Sequence, residues 1–445
     1  MEKQINRRDF LKIAGTGTLA AAAISCAGEK AVKAVASSGK TLGEMTYRTS
    51  PEGNKISILG YGCMRWPMIT DENSKRVIDQ ETVDKLVDYA IEHGVNYFDT
   101  APTYLQGQSE PATGKSLKRY PRESIYIATK LSNFRIPKTF EASLEMYRNS
   151  FKNLQTDYID YYLLHSISDY EDYRSRFVDN KMIDFLLKER QAGRIRHLGY
   201  SIHSDRKAFD EVLADHEKYH WDFVQIQMNY IDWIQDAEYF YTELEKRGIP
   251  IIIMEPLLGG QLAKIPEHFA SQLRERKPAE SIASWAFRFC GSKPGILTVL
   301  SGMTYMEHLQ DNLKTYCPLE ELSEDDLNLL DEVAHEFVQF PLIPCTGCQY
   351  CMPCPYGVDI PGVFAHYNKC LNEGSIKDDK GDPAYREARR KFLVSLDRNV
   401  ETLRQSEHCI HCGKCLRKCP QRIGIPDQMQ RISEYTEQLR RDKKF

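Results

Sequence analysis

Beyond its N-terminus the sequence has no apolar run long enough to span a bilayer, which excludes a transmembrane segment from the mature chain. Neither sign of charge dominates. Lys and Arg total 59 against 63 Asp and Glu, for a net charge of −4, and there is no basic stripe of the kind nucleic acid requires. No Gly-rich turn follows the first predicted strand, so the usual fingerprint of a doubly wound nucleotide-binding sheet is missing. Scattered cysteines are few: Cys63, Cys290, Cys317 and Cys370 form no motif and read as buried thiols. At 445 residues the chain exceeds one ordinary core and implies a large domain with a smaller one.

What is present is most specific near the C-terminus. Cys345, Cys348, Cys351 and Cys354 precede Pro355 in a C-x2-C-x2-C-x2-C-P run. Cys409, Cys412, Cys415 and Cys419 precede Pro420 with one longer last gap, C-x2-C-x2-C-x3-C-P. The second spacing is that of bacterial ferredoxins, whose thiolates hold a [4Fe–4S] cluster. Two such runs predict two [4Fe–4S] clusters. Zinc is the rival and disulfides a further alternative, but zinc favours two separated cysteine pairs and would leave the middle cysteine of each triplet idle. The runs also read as one unit used twice, since Cys354 and Cys419 are each followed six and seven residues on by an isoleucine and a proline. Each proline suits the first turn of a helix. In two-cluster ferredoxins the fourth cysteine of one run serves the other cluster, so Cys354 and Cys419 are candidates for exchange. The charged stretch from Tyr385 to Arg404 between the runs predicts a mainly helical module.

At the other end, Arg7-Arg8 and Phe10-Leu11-Lys12 precede a weakly apolar Ala/Gly/Thr-rich run ending near Ala27. This pattern resembles a twin-arginine signal, and Ala34-Val35-Ala36 suits a signal peptidase. It predicts export of the folded protein to the periplasm or cell envelope, with Cys26 an alternative site of lipidation. A basic helix start with an alanine-rich tail is the plain structural reading. The expected organisation is a signal segment at 1–36, a barrel at 37–335 and a ferredoxin-like domain at 336–445.

Between these ends, strand-like runs alternate with amphipathic helical stretches. Strands are predicted at 56–62, 97–101, 125–131, 158–165, 197–202, 223–228, 250–256 and 296–301. Helices are predicted at 81–93, 140–154, 182–191, 207–216, 238–247 and 306–316, with Gly94, Gly193 and Gly248 placed as C-terminal caps. Eight strands in this rhythm give the fold class as α/β, a (β/α)8 TIM barrel followed by a mainly helical iron–sulfur domain.

Such a barrel carries its chemistry at the carboxyl ends of its strands. Asp99 ends the second predicted strand, Tyr104 lies in the loop after it, Lys130 closes the third and His165 the fourth. Each alone has an ordinary explanation as a turn cap, a surface tyrosine, a solvated strand end or a core histidine. Together they suit proton donation to a carbonyl. A tyrosine with an ordinary pKa of about 10 is a poor donor, an adjacent lysine lowers that pKa, an aspartate holds the lysine, and a histidine orients the carbonyl.

At these residues the barrel resembles the aldo-keto reductase family, in Phe98-Asp99-Thr100-Ala101-Pro102-Thr103-Tyr104, then Gln108-Ser109-Glu110, Lys130 and His165. The likeness spans about residues 44–316, and the whole chain resembles the iron–sulfur-bearing branch of that family. The resemblance implies catalytic roles for Asp99, Tyr104, Lys130 and His165, a small carbonyl or alcohol substrate, and an NAD(P)(H) cofactor. It also implies cofactor contacts at Gly62, Met64, Ser201, Gln225 and Asn312. The sequence departs from the family at Ile202, where asparagine is usual, and at Met254, where many members stack an aromatic ring. Gly302 and His308 stand where NADP-preferring members place basic residues, so the choice between NAD and NADP stays open.

Two functions of different class follow. One is an exported oxidoreductase coupled to iron–sulfur electron transfer, with a redox partner protein and, because hydride carries two electrons and a cluster one, room for a flavin. The other is a non-enzymatic electron-transfer or sensing subunit that uses its barrel as a binding platform.

Overall fold

The structure, a computed structural model, describes residues 42–442. From Glu44 onward the described residues form one compact unit. The expected signal segment at 1–36 lies outside the described residues. Among the described residues no helix is long and apolar enough to cross a membrane.

Eight parallel strands close into a barrel: β1 Leu59–Gly62, β2 Tyr97–Asp99, β3 Tyr126–Leu131, β4 Ile159–Ile167, β5 Ile195–Ile202, β6 Phe223–Gln227, β7 Ile251–Met254 and β8 Ile296–Ser301. Every neighbour in the ring is a neighbour in sequence, and β8 returns to pair with β1. Each predicted strand is present, in places shortened by turns. Ile56 belongs instead to a small antiparallel hairpin, 47–49 with 55–57. Helices Phe140–Leu154, Met182–Gln191 and Met306–Tyr316 fall where the periodicity puts them. Gly94, Gly193 and Gly248 take φ values of 90°, 76° and 66°, the left-handed geometry that ends the preceding helices. Helix Ser109–Leu117 has no counterpart in the periodicity, because seven of its nine residues are buried, polar and apolar alike, and no amphipathic stripe marks it.

The interior is filled by Tyr97, Ala128, Tyr161, Leu163, Phe223, Ile252 and Leu297. Side chains alternate across a strand, so residues two places further on face the same interior, one layer nearer the mouth. Those residues are Asp99 after Tyr97, Lys130 after Ala128 and His165 after Leu163. The fold thus delivers three ionisable groups to one end of the barrel through period-two geometry alone.

Helix Glu324–Phe337 lies against the barrel, with the Phe269 and Phe337 rings 5.5 Å apart. Beyond it, helices Ile360–Asn372, Tyr385–Asn399 and Ile425–Arg441 pack through Val363, Phe364, Phe392, Leu396, Met429 and Ile432. Pro361 and Pro426 stand in the first turns of their helices, as the repeated unit predicts. Asp359 caps the first of these helices by accepting from Gly362 N at 3.1 Å.

Candidate functional site

Asp99 and Lys130 form a buried ion pair through Lys130 Nζ and Asp99 Oδ1. The same ammonium donates to the Thr100 carbonyl at 2.9 Å and lies 5.0 Å from the centre of the Tyr104 ring. Tyr104 reaches this place because the turn after it takes Leu105 and Gln106 through φ values of 50° and 58°, which folds the loop back over the mouth. Its ring meets His165 edge-on, with centroids 5.8 Å apart. His165 Nδ1 is 2.5 Å from Ser132 Oγ. The four residues expected to act together therefore do stand together.

Their protonation differs from expectation in one respect. Burial pushes the Tyr104 phenol well above its ordinary value, and the Asp99 carboxylate and Tyr350 add to the rise, so the lowering expected from Lys130 is not realised. The physical reason is that Asp99 compensates the lysine charge directly, while the ring loses its water. Burial also lowers Lys130, against the pull of Asp99, and holds His165 well below the usual imidazole range, with Lys130 and Arg176 adding to the fall. At neutral pH the pair facing the mouth is a protonated phenol and a neutral imidazole.

The sequence gives no sign of what covers this pair. Tyr350, between two cysteines of the first run, is half-buried with its hydroxyl 3.3 Å from His165 Nε2. Phe134 lies 5.4 Å from Tyr350, and the Arg135 guanidinium lies 5.5 Å over the same ring. Arg65 Nη2 donates to the Thr346 carbonyl at 2.7 Å, and Gln261 Nε2 to the Cys345 carbonyl at 3.1 Å. Gln227 and Gln421 exchange amide hydrogen bonds at 2.8 and 3.0 Å. The approach is closest at Gly259, where φ is 69° and an added Cβ would stand 2.3 Å from Thr346 Cα. Gly259→Ala is accordingly expected to loosen this contact at a cost of about 1–3 kcal/mol, read as a lower Tm and faster limited proteolysis after residue 340. An unchanged Tm would contradict the tight docking. Residues between ligating cysteines obey no spacing rule, which is why Tyr350 escapes sequence reasoning.

The expected cofactor contacts are partly assembled. Ser201 and Gln225 are register partners on β5 and β6, and Gly62 is the partner of Asp99 on β1 and β2. Ser201 Oγ accepts from Ser166 N at 2.8 Å. Gln225 Oε1 is buried without a hydrogen-bond partner, an acceptor that fits the N–H of a carboxamide. A nicotinamide therefore fits this pair. Asn312 spends its Nδ2 on Ser301 Oγ at 2.9 Å, and Met64 is half-buried in the turn after β1. An added Cβ at Gly302 would stand 3.0 Å from Arg65 Cδ, so an arginine from the first loop covers that glycine.

None of the eight cysteines of the two runs is in a disulfide. They gather in two sets that do not follow the runs. Cys345, Cys348, Cys351 and Cys419 line a cavity of about 310 Å³. Cys354, Cys409, Cys412 and Cys415 line another of about 460 Å³, and Cys351 borders both. The fourth cysteine of each run thus lines the cavity of the other run, the arrangement that an exchange of ligands calls for. Among the described residues no three His, Cys, Asp or Glu side chains converge on a single ion; the thiols stand around a wider space, which suits a multi-atom cluster.

Residues 59–335 match the sequence profile of the aldo/keto reductase family. The chain belongs to that family. Residues 344–423 match a 4Fe-4S dicluster domain, so this is an oxidoreductase with an iron–sulfur domain. Among aldo-keto reductase relatives, a probable aldo-keto reductase of Glycine max is 28% identical over 52% of this chain and 66% of its own, just under two thirds of its length. The oxidoreductase YqkF of Bacillus subtilis is 26% identical over 62% of this chain and 92% of its own. In structure, the holo aldo-keto reductase AKR11C1 of Bacillus halodurans has a TM-score of 0.52 at 24% identity, covering 65% of this chain and 96% of that one. An aldo-keto reductase of Klebsiella pneumoniae in complex with NADPH has the same TM-score at 20% identity, with the same two coverages. These reductases share the barrel.

Proposed function

We propose that the protein reduces a small carbonyl compound, or oxidises the corresponding alcohol, at Tyr104 and His165, in concert with two [4Fe–4S] clusters held by the exchanged cysteine sets. The observation that carries this reading is the edge-on meeting of Tyr104 and His165 at the barrel mouth, with the Asp99–Lys130 ion pair beside them and the first cysteine run above. When bound, a nicotinamide supplies hydride to the carbonyl carbon and the clusters supply single electrons, with a flavin as the natural mediator between the two.

The chain's own residues supply the rest. In the tautomer where Ser132 Oγ donates to His165 Nδ1, the imidazole proton stands on Nε2, placed to hydrogen-bond the carbonyl oxygen. Tyr104 gives its hydroxyl proton to the same oxygen as the carbonyl carbon gains its hydride. The phenolate left behind is stabilised by Lys130, which Asp99 holds beside the ring. Gln225 Oε1 would accept from the carboxamide of a bound nicotinamide, with Ser201 its register partner beside it. The family resemblance, rather than a contact, supports Gly62, Met64 and Asn312 as further cofactor residues. In anaerobic assays with NADPH or NADH, a panel of small aldehydes and ketones should include at least one that is turned over, and His165→Gln should lose that turnover. If no carbonyl is turned over with any donor, the barrel is a binding platform, a reading favoured by Ile202 and Met254 and by the filled position at His165.

The second cysteine set supports a redox partner. Ile410, Leu416 and Tyr356 are exposed around it, and Lys414, Arg417 and Lys418 make no ion pair among the described residues. That combination suits an acidic one-electron carrier. We further infer export by the twin-arginine route to the periplasm or cell envelope, with domains at 37–335 and 336–445 and with Cys26 as the alternative lipid anchor. Arg7→Lys with Arg8→Lys is expected to strand the protein in the cytoplasm with its clusters intact; native protein found wholly cytoplasmic with residues 1–36 attached would contradict export.

A further inference from the structure

Tyr350 is a side chain of the iron–sulfur module that reaches His165 in the catalytic site, and nothing in cluster ligation calls for a tyrosine between Cys348 and Cys351. Gln349, just before it, takes φ of 63°, a left-handed conformation that a non-glycine residue adopts at a cost. That turn aims Tyr350 into the barrel. Its ring packs on Phe134 beneath Arg135, and its hydroxyl faces His165 Nε2 at 3.3 Å. Tyr104 and His165 are only 8% and 4% exposed, so the site is shut while the tyrosine is in place.

We infer that Tyr350 is a substrate-site residue supplied by the iron–sulfur module: its hydroxyl stands in for the substrate oxygen at His165 Nε2, and a carbonyl compound enters by displacing it. The inference rests on the reading of His165 as the group that binds the carbonyl oxygen. Displacement has a structural consequence. Cys348 and Cys351 flank Tyr350, so filling the carbonyl site moves a loop that carries two ligands of the first cysteine set. Removal of the tyrosine hydroxyl removes a competitor built into the chain, and removal of the whole ring opens the site.

Access to His165 can be read without a known substrate. Diethyl pyrocarbonate acylates exposed neutral imidazoles, and peptide mass spectrometry reports each histidine separately. In anaerobically prepared full-length protein, exposed His268 and His335 serve as internal standards. His165 should react much more slowly than either in the wild type. In Tyr350→Gly its rate relative to the standards should rise by about tenfold or more, with iron and sulfide content unchanged. Tyr350→Phe keeps the packing on Phe134 and decides the matter if the glycine variant loses its clusters: freed Nε2 should acylate severalfold faster than in the wild type. For any carbonyl that the wild type turns over, Tyr350→Phe should lower KM severalfold with little change in kcat, a split that a purely structural role would not produce. Wild-type His165 as reactive as His268, or equally slow acylation in the wild type and in a variant that keeps its clusters, would overturn the inference. The acylation assay reads access whether or not His165 is catalytic. The turnover of His165→Gln tests that separate reading.

Discussion

Tyr104→Phe is expected to lower the carbonyl-reductase rate by about 10²–10⁴-fold, the usual contribution of a positioned general acid, while cluster content stays intact. The substitution removes one hydroxyl and leaves the edge-on contact with His165. The pH profile follows from the directions of the shifts. Reduction needs the phenol protonated, and its pKa is raised, so the rate should stay level through neutral pH and fall only in alkali. The imidazole must be neutral, and its pKa is lowered, so the acid limb should lie below the ordinary histidine range. In the reverse direction, alcohol oxidation requires the phenolate and should rise with pH. Lys130→Met should lower the rate and move the alkaline limb further up, because Asp99 then faces the phenol uncompensated. It should also cost about 3–5 kcal/mol of stability, as breaking a buried ion pair does, so the tyrosine variant is the cleaner probe. Full activity of Tyr104→Phe with any carbonyl would place the chemistry elsewhere.

Cys419→Ser should disable the cluster of the first run, not that of its own run. Cys419 lines the cavity with Cys345, Cys348 and Cys351. Iron should fall from about eight to about four per chain, four being the content of one cubane. Pairs of substitutions make the assignment decisive. Cys419→Ser with Cys345→Ser should lose no more iron than either alone, because both serve one cluster. Cys419→Ser with Cys409→Ser should lose nearly all of it. The opposite pattern, in which Cys409 and Cys419 behave as partners, would show that the fourth cysteines are not exchanged.

These results would test parts of the molecule that differ in how far sequence reveals them. The barrel was readable because period-two strands and glycine-capped helices are local features, and the tetrad because strand ends in a barrel share one mouth. The cysteine spacing marks Cys354 and Cys419 as candidates for exchange, and each lines the cavity of the other run. What escaped was long-range contact. Thr346 against Gly259, Arg65 under the Thr346 carbonyl, and Tyr350 against His165 join segments more than 80 residues apart, and neither periodicity nor motif marks them. The upward direction of the Tyr104 shift is hidden from the sequence for a related reason. The ammonium of Lys130 is visible in the sequence, but the dryness of the site, created partly by Tyr350 overhead, is not.

The most direct test of a carbonyl-reducing barrel joined to two clusters is to analyse what anaerobically purified full-length protein releases on denaturation. The expected result is about eight irons and about eight acid-labile sulfides per chain, four per cubane, accompanied by a nicotinamide or flavin nucleotide. Stoichiometric zinc without sulfide would contradict it.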